Sequence, residues 1–112
     1  MATQLVPEQN RECLDACAHC VATCEACAQH CIAAAQQDMV TCVRQCLDCA
    51  ALCQACVTLL ARDAQHAADL CGLCANACDA CASACERFDD ELMAQCTQAC
   101  RRAAELCRAM AA

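Results

Sequence analysis

Nineteen cysteines recur along this 112-residue chain in four runs, with gaps inside each run of mostly three and four residues. A mean spacing of about 3.5 residues is the period at which a helix keeps one stripe turned toward its neighbours in a left-handed bundle. A strand, with its period of two, cannot carry that pattern on one face. Each run therefore reads as one helix and the chain as all-α. One Gly and one Pro cannot punctuate a set of hairpins, whereas Ala, Leu, Gln, Glu and Arg are good helix formers. In the fourth run the stripe has a gap, because Ala103 stands in the slot between Cys100 and Cys107.

Acidic residues mark the segments between runs: Asp38 before Met39, Asp63 before Ala64, and Asp89, Asp90 and Glu91 before Leu92. Acids at a helix start satisfy free N–H groups and oppose the helix dipole. With Pro7 and Glu8 suiting a first turn, the expected helices lie near 7–36, 39–61, 64–87 and 90–110. Connections this short force antiparallel neighbours. The expected architecture is an up-down-up-down antiparallel four-helix bundle with a cysteine-lined core, one domain over residues 1–112.

Of the hydrophobic 61%, Ala and Cys supply most, so the core must be poor in large apolar side chains. A formal charge of -7 and an aromatic content of 1% exclude the basic patch and stacking platform of a nucleic-acid binder. The N-terminal segment lacks a basic stretch followed by an apolar one, and no window holds about 20 uninterrupted apolar residues, so a cytoplasmic protein with no membrane partner is expected. Thiols in that compartment stay reduced, which turns the cysteines from a disulfide framework toward metal. A packing role for one or two buried cysteines needs no function, but a core built on packing alone would mix Val and Leu into the same slots.

Residues i and i+4 of a helix have Cβ atoms about 5–6 Å apart. A near-linear S–metal–S unit spans about 4.5 Å if each bond resembles the roughly 2.3 Å of zinc–thiolate, so a CxxxC pair suits a two-coordinate ion. There are eight such pairs: Cys13/Cys17, Cys20/Cys24, Cys27/Cys31, Cys42/Cys46, Cys49/Cys53, Cys74/Cys78, Cys81/Cys85 and Cys96/Cys100. Cys56, Cys71 and Cys107 remain to complete sites between helices. Soft thiolates at low coordination number favour Cu(I), many ions per chain, whereas structural zinc takes four tetrahedral ligands. Iron–sulfur runs lie on loops, and a redox CxxC needs an exposed pair at a helix start, so neither reading fits a buried ladder and no enzyme is expected. Two rivals use the same residues. A metallothionein-like zinc or cadmium buffer shares the ligands, and a disulfide-stapled scaffold would strain i,i+4 pairs past the roughly 4 Å that a disulfide wants between Cβ atoms.

Repeated CxxxC and CxxC on four antiparallel helices, with no export signal, resemble the bacterial four-helix-bundle copper storage proteins of the cytosolic branch. The resemblance spans nearly the whole chain and implies a core storing many Cu(I) ions, admitted through one end of the bundle, and protomers associated as a tetramer. Ala103 departs from the pattern. The copper would be delivered by a copper chaperone or a small thiol.

Extending the stripes places Met39 before Cys42, Met93 before Cys96 and Phe88 after Cys85, all pointing inward at the end that also holds Cys31 and His30. Thioether and imidazole hold Cu(I) less firmly than thiolate, so His30, Met39 and Met93 are the expected mouth ligands. Asn10, Leu60 and Met110 share the opposite end. His19 and His66 lie off the stripe and are left out of the site. A second apolar stripe, Val40, Val43, Leu47, Ala50, Val57 and Ala61, with a weaker partner in Leu14, Ala18, Val21, Ala28, Ile32 and Ala35, points to contact between protomers of a homo-oligomer.

Overall fold

Stripes of small side chains let helices approach closely along their whole length, and four of them do so here. The computed structural model describes residues 5–112. Helix α1 spans Glu8–Ala34, α2 Val40–Ala61, α3 Ala67–Cys85 and α4 Glu91–Ala111, with a short 3-10 turn at Gln37–Met39 ahead of α2. They pack antiparallel in chain order, and α4 closes the ring against α1 to form a rod of 51 × 26 × 17 Å. The up-down-up-down bundle read from the sequence is the observed fold.

Every cysteine lies on the inner face, between 0% and 3% exposed. The largest fully buried side chains are Leu60, Met93 and Asn10, which sit at the ends, so the bundle is plugged by bulk where the thiol column stops. Ala28 and Ala50 of the second stripes are buried between helices, and Val21, Val43 and Val57 pack partly against the core. Ile32, Val40 and Leu47 remain 44–54% exposed. The stripe thus serves packing within the protomer in part and leaves a smaller apolar patch outside. The segment Gln37–Ala61 is long and apolar enough, by length and composition, to cross a membrane. In the bundle its cysteines face inward, while Val40 and Leu47 of the same segment stay exposed.

Three expected helix ends differ from the observed ones by two residues or more: the end of α1 and both ends of α3, which closes at Cys85 rather than near 87. Helix α1 stops two residues early because Ala35 turns left-handed (φ 55°), its N–H reaching back to the carbonyls of Cys31 and Ile32. Helix α3 starts three residues late. Asp63 is itself left-handed (φ 51°) and caps nothing; its Oδ1 accepts from Asn10 Nδ2 at 3.1 Å. Asp38 lies within the 3-10 turn and makes no capping bond. Asp90 alone behaves as read, its Oδ1 accepting from the N–H groups of Leu92 and Met93 at 2.9 and 3.2 Å. On the outside, Arg101 bonds Asp79 and Glu86, and Arg108 bonds Asp79, tying α3 to α4.

The difference between the two acids is testable. Asp90→Ala should lower the midpoint of thermal unfolding followed by circular dichroism, since it removes the only side-chain cap among the described helices, while Asp38→Ala should leave it unchanged.

Candidate metal centre

The inward stripes stack the sulfurs in layers, and the sulfurs meet mainly across helices. Only Cys20/Cys24, Cys49/Cys53 and Cys74/Cys78 among the CxxxC pairs show S–H···S contact, at 3.7, 3.9 and 3.8 Å. Shorter approaches link different helices: Cys42 to Cys85 at 3.0 Å, and Cys17 to Cys107, Cys49 to Cys78 and Cys53 to Cys74 each at 3.5 Å. A side chain leaning across the narrow bundle axis reaches a neighbouring helix sooner than it reaches the next turn of its own. The spacing along one helix identified the ligands but not their partners.

The sulfurs gather in buried groups of four, every member within 4.8 Å of the others. Among them are Cys17, Cys56, Cys74 and Cys107, one from each helix, and Cys27, Cys46, Cys85 and Cys96, likewise one from each. Others overlap. Cys20 and Cys49 belong both to a group with Cys24 and Cys100 and to one with Cys53 and Cys78, while Cys24 and Cys100 recur with Cys81 and Cys96. A tetrahedral zinc site wants four ligands of its own, whereas shared sulfurs suit low-coordinate ions bridged by common thiolates. All nineteen cysteines are free thiols.

Mutual hydrogen bonding splits the thiols electrostatically. Neighbouring sulfurs, Cys100 first and then Cys24 and Cys46, hold Cys81 down at about 6, and Cys100 and Cys24 likewise lower Cys20. Cys31 is pushed up to about 11, first by burial and then by the neighbouring Cys42. Cys24, Cys53 and Cys85 are raised by bonds to neighbouring sulfurs that favour their protonated form.

At the end where α1 and α3 finish and α2 and α4 begin, Met93 is fully buried and Met39 is 8% exposed. A groove of about 450 Å³ opens beside Met39, lined also by Cys31, Ile32, Val40, Val43 and Arg44 among others. His30 is half-buried, and its Nε2 lies 2.9 Å from Asp90 Oδ2. The bond to His30, with the Met93 N–H next, holds the Asp90 carboxyl below the usual carboxylate range. The sequence placed His30 beside the methionines but gave no sign of its tie to the α4 cap. At the opposite end Asn10, 1% exposed, donates Nδ2 to Leu60 O at 3.0 Å as well as to Asp63, fastening α1 to the end of α2. His19 and His66 are exposed.

A helical bundle whose interior is a column of overlapping thiol groups is a container for soft metal ions. The profile of the copper storage protein family matches residues 6–112, and the chain belongs to that family. A structure of copper storage protein 3 from Bacillus subtilis in the apo form is 32% identical (TM-score 0.84) and covers 91% of this chain and 98% of its own. The Cu(I)-bound form of that protein, also 32% identical, superposes with a TM-score of 0.89 over 94% of this chain and 100% of its own. A Nitrosospira multiformis protein is 38% identical (TM-score 0.85; 93% and 95% covered). Comparison with curated proteins gives no match. The function of the chain is copper storage, its cargo Cu(I), with multiple ions held by the cysteine-rich core.

Because a thiol must lose its proton to bind, Cu(I) competes with protons, more strongly at a raised group such as Cys31 than at a lowered one such as Cys81. Cu(I) uptake should therefore release protons, and apparent affinity should rise with pH. Titration with a pH indicator under anaerobic conditions measures both.

Proposed function

We propose that all nineteen cysteines form one cytoplasmic Cu(I) store, that His30, Met39 and Met93 form its mouth, and that no catalytic step is involved. The observation that carries this reading is the sharing of sulfurs between neighbouring four-thiol groups, which lets each thiolate serve more than one ion. The same sharing disfavours a zinc or cadmium buffer of closed tetrahedral sites. At the mouth, Nε2 of His30 is engaged by Asp90, so ligation there would use Nδ1, and an ion leaving thioether or imidazole for thiolate moves downhill. The exposed Ile32, Val40 and Leu47 support association into a homotetramer, and the donor is a copper chaperone or a small thiol. The chain acts as a single domain with neither a nucleic-acid nor a membrane partner.

Anaerobic titration of the reduced protein should saturate at on the order of 10–20 Cu(I) per chain. A plateau at one to four ions would overturn the reading of the whole column as ligand.

Replacing Met39 and Met93 together by Leu keeps the volume and removes both thioethers. Stopped-flow uptake from a fixed Cu(I) donor should slow while final capacity stays near that of the parent. Slowing by Met110→Leu, with the double variant unaffected, would place the mouth at the other end.

A further inference from the structure

Beside Met39 a column thiol, a thioether and a cationic side chain line one surface groove of about 450 Å³. Cys31, 2% exposed, is the last thiol of α1 and forms part of its wall. Among the described residues it is the one sulfur at this end without an S–H···S contact, whereas Cys27 and Cys42 both meet Cys85, at 3.9 and 3.0 Å. Ile32, Val40 and Val43 give the groove its apolar sides.

Charge sets what such a groove can hold. Arg44 lines it, is exposed, and makes no ion pair among the described residues, although Asp48 stands one turn further along α2 and Asp38 lies just ahead of that helix. An anionic ligand therefore finds a free guanidinium here, on a chain whose net charge of -7 repels it elsewhere. The volume is that of a small-molecule site, whereas a protein donor would need a face of about 800 Å². Ile32 and Val40 also belong to the apolar patch assigned above to the tetramer, which makes a second protomer the competing occupant. That protomer would have to cover the Arg44 charge.

We propose that this groove is the docking site of the copper donor, and that the donor is the Cu(I) complex of a small thiol bearing a carboxylate. This rests on the Cu(I)-storage reading and on the mouth assigned to the Met39 end. Arg44 holds the carboxylate, the apolar sides cover the carbon chain, and the copper lies toward Met39 and Cys31. Transfer is an exchange of thiolates. The copper–sulfur bond to the donor breaks as one to Cys31 Sγ forms, the Cys31 proton passes to the departing donor sulfur, and copper stays Cu(I) throughout. Cys42, the neighbouring sulfur, takes the ion onward to Cys85.

The test is anaerobic stopped-flow loading of the reduced protein with Cu(I) presented either by N-acetylcysteine or by N-acetylcysteamine, which differs only in lacking the carboxylate. The parent should load about two- to fivefold faster from the carboxylated donor, the range of an exposed ion pair, despite the repulsion of its own net charge. Arg44→Gln should remove that preference while keeping the rate from the neutral donor, the final copper content and the oligomeric state. Arg62→Gln, the same loss of charge at the other end of α2, should keep the preference. Equal rates from both donors in the parent, equal slowing of both by Arg44→Gln, or loss of the preference in Arg62→Gln would overturn the docking site. So would a change in oligomeric state of Arg44→Gln on ultracentrifugation with no donor preference in the parent, which assigns the groove to a second protomer. Failure of the storage reading would show separately, as a low final copper content from either donor, and would take the docking site with it.

Discussion

A thiol column down a helical bundle depends on one geometric constraint: the side chains facing the axis must be small enough for the helices to close on them and reactive enough to be worth enclosing. Cysteine meets both demands. It packs as a small hydrophobe, so four stripes of it interdigitate without the volume of leucine, and its sulfur remains a soft ligand once the proton leaves. The narrowness that follows is what brings Cys42 and Cys85, from different helices, within 3.0 Å. Where the column ends, larger residues take over, and Leu60, Asn10 and Met93 supply the bulk that thiols cannot.

The ends show how the same backbone solves two different problems. At one, Asn10 ties the start of α1 to the last carbonyl turn of α2 and to Asp63, a polar closure with both donor bonds satisfied internally. At the other, Asp90 divides its two oxygens between the α4 N–H groups and His30, so the residue that starts a helix also orients a ring beside the buried Met93. A carboxylate holding the far nitrogen of an imidazole is the arrangement by which ligating histidines are commonly oriented.

Much of this was legible in the chain because the cysteine period is a strong, repeated signal. Helix number, antiparallel order, the inward direction of every thiol and the shared end of Met39 and Met93 all follow from spacing and short connections. Pairings such as Cys17 with Cys107 did not follow, since the relative shift and rotation of two helices is set by packing along their full length rather than by either sequence alone. Asp63 misled for a related reason: an acid ahead of a helix resembles a cap, yet its carboxylate was claimed by Asn10, fifty-three residues earlier. The left-handed Ala35 carried no signal, because alanine at that position lacks the glycine that usually announces such a turn.

The near-complete burial of all nineteen sulfurs separates what the protein contains from what it displays. Its outside is an acidic coat of ordinary helix residues with a net charge of -7, offering no thiol to a passing disulfide, oxidant or unpaired protein cysteine. A cell can thus accumulate a high local density of reactive sulfur in a form that its surroundings meet as an inert, like-charged particle. Only something small enough to slip between the helices, or to be passed on at an end, experiences the interior at all.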